Sequence, residues 1–540
     1  MFTKSSWKVL SESCFSDPLL KVIVNAVNKY HEKTGEDSKI FILLLKEIMC
    51  NFESIVNVND DNYLRKIISL EISDLMSYLP CIFSNMYISS AVSSAPHLDF
   101  KKFTCDLKGI VLTFLQSKFS PSVAKALCSL ISEFILKCVG DWHLSKKVLE
   151  YLIINFDALC FKASLPLSAS HILNGFILNQ KLRFLDMGNA NFIIVYDLIQ
   201  QVSPNEATWE AECESLPLKL STLYLNYEEM LNFVKIQNIA VIFTPCTVNA
   251  YLKSLFLKNN IVVLDSIVKE DIEIILFYTG ISPLKFLNET LEPRNIGHLK
   301  SLRTVHSVKQ PCMLLEFSSS LKWFNLNHIM LCAPFDAVWK EYYSECYNCL
   351  KIVHLWLFPE KVNYCCRKKR SVFVNNEFHL ENKICSNLLK VDHNIVEYLC
   401  TACSVLNENS CKNDGRLNSE YLHDNESTSQ YCPIGMSYPF GFWEISLKMT
   451  LAKLLRSEKL PFKNFLEIMN YALLNVISIT LNISCTCNDD ISESYCTFYE
   501  RFKSKVLNPL EPVVIKEELI FHVLGLVQQL LKIDGLICQK

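Results

Sequence analysis

The sequence predicts a multidomain α and α/β protein in which two helical regions flank a central α/β region. In the first 160 residues, and again after Leu331, apolar residues recur three and four positions apart, as they do on one face of a helix. Between these regions, short β-branched runs alternate with amphipathic stretches, a pattern typical of a parallel sheet. At 540 residues the chain is long enough for several domains.

The composition excludes several classes of protein. The chain has 53 Lys plus Arg against 56 Asp plus Glu, a net charge of −3, and half of its residues are apolar. This balance is wrong for a polybasic nucleic-acid binder, and the apolar content is too high for a disordered chain. No apolar run approaches the roughly 18 residues of a membrane span. We therefore expect no nucleic-acid partner and no membrane insertion.

Glycine and cysteine usage add two expectations. Only 12 residues are Gly, which is few for a protein built on several glycine-rich phosphate loops. The 24 cysteines follow an amino terminus, residues 1–14, that carries charges where a signal peptide needs an apolar segment. The chain is thus expected to be cytoplasmic and reduced, with most thiols in the core.

The first region begins with two helices joined by a tight turn. Asp17 is a predicted N-cap, because it precedes a proline that suits the first helical position, and Gly35 is a predicted end of the same helix. Asp37 and Ser38 can cap the next helix.

The central region contains three strand-like runs and two helices. The predicted strands are Phe192–Tyr196, Ile239–Phe243 and Ile261–Leu264. The helices lie between and after the last two, at Val248–Phe256 and Ser266–Tyr278. This order predicts a parallel, right-handed α/β layer. The apolar side of Val248–Phe256 is expected in the α/β core, with an exposed binding surface as the alternative.

Helix returns after Leu331. An apolar stripe includes Trp339, Leu350, Val353 and Leu357. Residues 404–430 are dense in Asn, Ser, Asp and Glu, which indicates an exposed loop or insertion. Helices resume at Trp443.

Five segments occur in the order found in a group II (cytosolic) chaperonin subunit, which the chain resembles. They are Lys33–Lys39, Leu167–Leu178, Ile239–Gly280, Glu511–Lys516 and Leu531–Ile537. The resemblance implies a helical equatorial domain (1–137 and 346–540), an intermediate domain (138–188 and 317–345) and an α/β apical domain (189–316). An insertion at about 359–431 has no counterpart in ordinary chaperonins. The chain begins close to Asp17, so this architecture is expected to be amino-terminally shortened, without a first helix and its phosphate loop.

Within that family the chain is similar to the divergent chaperonin-like proteins of Bardet-Biedl syndrome. The similar segments are Lys39–Leu44, Leu331–Pro334, Cys432–Gly435 and Phe442–Ile445. The resemblance implies assistance in assembling the BBSome, a ciliary trafficking complex. Its implied partners are other chaperonin-like Bardet-Biedl proteins, the cytosolic chaperonin and BBSome subunits. Its implied location is the cytoplasm, the centrosome or basal body, and the cilium.

The resemblance also locates a nucleotide site, at Gly35, Glu36, Asp37, Asn348 and Gly435. Glu36 stands at the family's metal-binding Asp, and Asp37 replaces a glycine that lets phosphates approach. Asn348 stands at the water-orienting Asp, where a neutral amide cannot act as a carboxylate does. Only Gly435 is left of a triple glycine. We therefore expect a degenerate site with no catalytic residue and no cofactor beyond weakly bound ATP with Mg²⁺, or simply a helix-capping turn.

Two alternatives stay open at this point. One is an ATP-dependent folding subunit, in which Glu36 binds the metal and another carboxylate replaces the lost one. The other is a cytosolic scaffold stabilised by zinc, because Cys346, Cys349 and His354 on one side, and His393, Cys400 and Cys403 on the other, have the spacing of zinc half-sites. Core thiols are the expected role of Cys346 and Cys349.

Overall fold

The computed structural model describes residues 6–13, 15–36, 38–56, 61–90, 92–93, 100–178, 186–197, 238–248, 250–287, 289, 291–306, 311–318, 321–359, 436–439, 441–456, 462–481 and 510–533. The chain divides into two compact units. Unit 1 comprises Met1–Cys128 and Glu345–Lys540, and unit 2 comprises Ser129–Ser344. The three-domain boundaries within this division stay a prediction.

Unit 1 is mainly helical. Its helices are α1 (Ser6–Glu12), α2 (Pro18–Thr34), α3 (Lys39–Val56), α4 (Asp61–Ser90), α5 (Phe100–Gln116), α6 (Pro121–Cys138), α11 (Asp336–Leu357), α12 (Phe442–Leu455), α13 (Lys463–Leu481) and α14 (Val513–Lys532), of which α6 and α11 run across the unit boundary. Its short strands β1 (Val92–Ser93), β12 (Met436–Pro439) and β13 (Leu510–Pro512) form one antiparallel sheet in the order β1-β12-β13.

The ends of α2 follow from its sequence. The Asp17 side chain accepts a hydrogen bond from the Leu19 backbone N–H at 2.8 Å, and Pro18 occupies the first helical position. At the other end, Gly35 adopts a left-handed conformation with φ of 72° and donates its N–H to the His31 carbonyl oxygen. Both predicted caps are therefore confirmed. Glycine suits the second position because a residue with a Cβ is strained in the left-handed conformation.

The core of unit 1 is built from apolar faces of helices distant in sequence. Buried residues from α3, α4, α12, α13 and α14 include Phe41, Ile48, Ile72, Leu75, Trp443, Phe465, Met469, Val523 and Leu524. Removal of this apolar surface from water is the main force that joins the amino-terminal and carboxy-terminal segments. Leu350, Val353 and Leu357 of α11 are buried as predicted.

Unit 2 is an α/β unit. Its helices are α7 (Ser145–Ile154), α8 (Phe156–Leu159), α9 (Ala250–Lys258) and α10 (Lys269–Thr279). Its strands are β2 (Cys160–Ala163), β3 (His171–Asn174), β4 (Phe176–Leu178), β5 (Ala190–Asp197), β6 (Ile239–Phe243), β7 (Val262–Leu264), β8 (Leu284–Phe286), β9 (Gly297–His306), β10 (Pro311–Phe317) and β11 (Asn327–Cys332).

The larger sheet of unit 2 contains the parallel layer that the sequence predicts. The strand order is β4-β10-β9-β5-β6-β7, with β8 paired to β5, and the β5, β6 and β7 pairings are parallel. The antiparallel strands β4, β9 and β10 extend it on the other side. The sheet is therefore mixed, which the three predicted runs did not indicate.

The apolar side of α9 lies in the core of this layer. Val248, Leu252 and Phe256 are at most 7% exposed and pack with residues of β5, β6 and β7. The core prediction for this segment is confirmed, because these three side chains are not exposed for binding a client. The physical reason is that the strands beneath the helix present an apolar surface, against which this stripe packs.

A smaller sheet in unit 2, β2-β11-β3, adjoins the larger one. Between β3 and β4, Gly175 has φ of 122°, and a Cβ on it would lie 2.3 Å from the Leu315 carbonyl oxygen. Buried His328 of β11 donates its Nε2 hydrogen to the Ala158 carbonyl oxygen at 2.7 Å. Burial lowers the pKa of His328 to about 4, so the ring is neutral where it joins β11 to α8.

No helix among the described residues is long and apolar enough to cross a membrane.

Candidate functional site

The turn after α2 contacts helix α11. The left-handed Gly35 lies so close to Asn348 that a Cβ on the glycine would be 3.1 Å from the Asn348 carbonyl oxygen. Two residues of the predicted nucleotide site, 313 positions apart in sequence, are thus brought together in unit 1. Asp37 and Gly435 lie outside the described residues.

The Asn348 side chain is part of a buried polar network. Its Nδ2 donates to Glu345 Oε2 at 3.2 Å, and the same carboxylate oxygen lies 2.6 Å from Lys118 Nζ. The side chains of Lys118 and Glu345 are 3% and 4% exposed. Asn348 therefore adds a hydrogen bond to the carboxylate of the Lys118–Glu345 ion pair.

The backbone of Glu36 makes two hydrogen bonds to residues at the end of α2. Its N–H donates to the Thr34 hydroxyl at 3.2 Å, and its carbonyl oxygen accepts a hydrogen bond from His31 Nδ1 at 2.7 Å. His31 stacks on Trp7 with ring centroids 4.4 Å apart, and burial lowers the pKa of its imidazole against the opposing effect of the Glu36 carbonyl. These contacts make the turn a stable end of α2.

A buried cluster of charged residues lies beside this turn. Lys516 Nζ at the start of α14 is 2.8 Å from Glu444 Oε1 and 2.9 Å from Glu511 Oε1. Glu511 Oε2 also accepts a hydrogen bond from the Gly441 N–H at 3.1 Å. All three charged residues are at most 8% exposed. We call Glu444, Glu511 and Lys516 the ion cluster.

The pKa values in the ion cluster reflect burial and mutual charge. Burial disfavours the charged form of Lys516, but Glu444, Glu511 and Glu36 outweigh it and raise the pKa of the ammonium well above its ordinary value. Burial raises the pKa of Glu511 to about 7, although Lys516 opposes the shift, and the charges of Glu444 and Glu36 raise it further. Glu36 therefore acts electrostatically on the ion cluster.

The space within the ion cluster is small. A cavity of about 10 Å³ is lined by Ile40, Gly441, Glu444, Ile477, Thr480, Glu511 and Lys516. That volume holds a single water molecule. Oε2 of Glu444 is buried and has no hydrogen-bond partner among the described residues, so such a water would satisfy it. Small-molecule sites are commonly about 300–1,000 Å³, so this cavity is far smaller than a typical small-molecule site.

Sequence reasoning did not assign the ion cluster to the site. A signal was present in the segment Glu511–Lys516, in which two opposite charges flank an apolar run at a predicted helix start. The third member, Glu444, lies 72 residues from Lys516. No spacing rule links two residues at that separation, so only the packing of α12 against the other helices reveals the pair.

The two cysteines of the first predicted zinc half-site, Cys346 and Cys349, are buried. Both side chains are 1% exposed in the core, and burial raises the pKa of the Cys346 thiol to about 12. The burial of both thiols confirms the predicted core role. Within the described ranges, no group of three or more His, Cys, Asp or Glu could hold a metal ion. His393, Cys400 and Cys403 lie outside those ranges, and zinc binding there stays a prediction.

Comparisons with known proteins identify the family of the chain. No curated protein sequence matches the chain. The chain is similar to a crystal structure of a group III chaperonin in the open state, with a TM-score of 0.59 and 11% identity over 98% of this chain and 90% of that one. At that identity the likeness shows the chaperonin fold, with helical and α/β parts as predicted. Residues 1–362 match the model of the TCP-1/cpn60 chaperonin family. The chain therefore belongs to the TCP-1/cpn60 chaperonin family.

Proposed function

We propose that this chaperonin-family chain works by binding other proteins and has no effective ATPase. The observation that carries the proposal is the ion cluster, in which Lys516 is paired to both Glu444 and Glu511 around a cavity of about 10 Å³. Entry of a polyanionic phosphate chain would require these pairs to open and would place its charge beside buried carboxylates. That arrangement opposes a nucleotide-driven cycle.

Asn348 supports the same proposal. A carboxylate at this position would orient the attacking water in a chaperonin-like site, whereas the amide is neutral and donates to Glu345. Glu345 is itself a carboxylate, but its 2.6 Å contact with buried Lys118 holds it in an internal ion pair. Neither residue is arranged to replace the lost acid.

The finer proposal concerns the biological process. The segments similar to group II and Bardet-Biedl chaperonin-like proteins, among them Lys39–Leu44 and Phe442–Ile445, support a protein resembling the Bardet-Biedl syndrome 10 protein. Its function would be to assist BBSome assembly with other chaperonin-like Bardet-Biedl proteins and the cytosolic chaperonin. It would then work in the cytoplasm, at the centrosome or basal body, and in the cilium.

A phosphate-release assay tests the absence of turnover. The purified full chain is incubated with magnesium and ATP beside an active chaperonin as positive control, and the expected release equals that of buffer alone. Turnover that Glu36→Ala abolishes would overturn the proposal, since it would locate activity at this turn.

Co-expression tests the partner assignment separately. We expect the chain to co-elute with BBSome subunits and chaperonin-like partners on gel filtration, and to do so equally after apyrase has removed ATP. Elution of the chain apart from all of these proteins would contradict the BBSome assignment. It would not affect the conclusion from the phosphate-release assay.

An ATP-dependent folding subunit is the second candidate. The left-handed Gly35 and the adjacent carboxylate of Glu36 are the features that favour it, because both suit a phosphate and metal turn. This candidate predicts turnover in the same assay and loss of partner co-elution after apyrase treatment, so the two experiments separate it from the binding function.

A further inference from the structure

Unit 2 contains a cavity of about 400 Å³ that none of the predicted sites includes. It lies where the smaller sheet adjoins the larger one. Asn174 of β3 and Asn327 of β11 contribute from the smaller sheet, whereas Lys300 of β9 and Glu316 of β10 contribute from the larger. The volume falls within the range of small-molecule sites.

One part of the cavity wall is apolar. Tyr278, Phe317 and Leu326 line it and are at most 5% exposed. Tyr278 and Phe317 also contact each other, with ring centroids 6.0 Å apart at an angle of 58°. Rings packed in this way hold their orientation, so the small part of each ring that is exposed to the cavity offers a fixed apolar surface to another ring.

The other part of the wall is polar and carries an excess of positive charge. Glu316 is neutralised by an ion pair with Arg303, and Lys137 is paired with Glu133 at 2.8 Å. Lys300 is exposed, and among the described residues it makes no ion pair. The Lys137–Glu133 pair is itself solvent-exposed, at 40% and 52% of the two side chains, so its lysine can exchange partners at little cost.

Backbone geometry keeps this cavity formed. Gly175, in the wall between β3 and β4, donates its N–H to the Leu326 carbonyl oxygen at 3.0 Å, and Asn325 donates from Nδ2 to the Lys137 carbonyl oxygen at 3.1 Å. These bonds join three separate segments of the wall. A ligand would therefore enter a largely formed site and would lose little affinity to ordering it.

We propose that this cavity binds a small anion that carries an aromatic ring, such as an aromatic carboxylate or sulfonate. The ring packs on Tyr278 and Phe317, and the anionic group pairs with Lys300. A cation would be repelled by the excess positive charge, and a small inorganic anion would leave the apolar wall uncovered. The proposal concerns unit 2 alone and does not rest on the proposed function.

The test uses anilinonaphthalene sulfonate, a fluorescent aromatic anion, with the full chain. We expect saturable binding, and we expect Lys300→Gln to weaken it about tenfold, which is the effect of losing one charge-assisted contact. Lys258→Gln is the matched control, because Lys258 is an exposed lysine of the same unit that does not line the cavity. Equal affinities for the two variants would overturn the proposal.

Location is tested independently of affinity. Hydrogen exchange with and without the probe should show protection in 171–178 and 311–318, the segments that contain β3, β4 and β10. Asn174→Trp should fill the cavity and remove both the protection and the saturable binding, with an unchanged circular dichroism spectrum as evidence of folding. Protection confined to other segments, or binding retained in this variant, would show that the probe occupies another site.

Discussion

A Cβ on Gly35 would lie 3.1 Å from the carbonyl oxygen of Asn348. The glycine therefore serves two purposes, since it ends α2 in a left-handed conformation and admits the backbone of α11. Gly280 ends α10 with nearly the same φ, 69° against 72°, but a Cβ on it would meet nothing within 4 Å. The two helix ends differ mainly in this close approach.

We expect Gly35→Ala to destabilise the last turn of α2 by about 2 kcal/mol or more, whereas Gly280→Ala should cost about 1 kcal/mol in α10. Both variants incur the strain of a left-handed alanine, but only the first also displaces Asn348. Hydrogen exchange across each last turn measures the free energy of local opening. Equal losses would show that the contact with Asn348 contributes nothing.

Lys516→Met should destabilise unit 1 by about 3–5 kcal/mol, because it leaves Glu444 and Glu511 buried without their cation. The measurement is the midpoint of urea unfolding followed by tryptophan fluorescence. Lys532→Met is the control, since Lys532 is an exposed lysine in the last turn of the same helix. A midpoint for Lys516→Met close to that of the control would contradict the assigned role of the ion cluster.

Glu517 gives unit 1 a pH-dependent stability. Burial, with the nearby charge of Glu518, raises the pKa of Glu517 to about 8, above the value of about 4.3 in an unfolded chain. The folded state therefore holds this proton more tightly. Its stabilising effect is complete below about pH 4 and is lost as the pH rises towards 8.

Glu517→Gln should remove that loss, because glutamine resembles the protonated acid. Relative to the wild type, we expect the free energy of unfolding of the variant to rise by on the order of 3 kcal/mol between pH 5 and pH 8. Glu467→Gln, at an exposed glutamate of α13, is the control and should show no such trend. His31, whose pKa is lowered, contributes in the opposite direction, but its effect cancels in this comparison. If the free energies of unfolding of Glu517→Gln and the wild type differ by the same amount at every pH, the raised pKa of Glu517 is contradicted.

The Lys118–Glu345 pair should behave as a unit. Lys118→Met alone should cost about 3–5 kcal/mol, because it leaves the Glu345 carboxylate buried without its partner, and adding Glu345→Met should recover most of that loss. Urea unfolding of both single variants and the double variant gives the coupling energy. The exposed pair Lys146–Glu150, 3.9 Å apart, should give a coupling below about 0.5 kcal/mol. Additive losses at Lys118 and Glu345 would mean that the two residues are not paired.

Much of the site could not be predicted from the sequence for a specific physical reason. The resemblance names both Gly35 and Asn348, which lie close together, but it does not indicate what the Asn348 amide binds. That depends on Glu345 and Lys118, and a buried charge selects its partner by proximity in the folded core rather than by spacing along the chain. The same is true of the cavity in unit 2, whose wall comes from segments between Lys137 and Asn327.

The sequence by itself determined the helices α2 and α3 with the caps at Asp17 and Gly35, the parallel strands β5, β6 and β7 with the helices α9 and α10, and the short segments similar to chaperonins. These features depend on neighbouring residues, because helix periodicity, β-branched runs and turn chemistry act over a few positions. Only the tertiary structure decided that β4, β9 and β10 join the parallel strands and that Glu444, Glu511 and Lys516 share one buried cluster. Both features depend on which apolar faces pack together across hundreds of residues. The charged side chains enclosed by that packing then pair with whichever opposite charges lie close to them in the folded core.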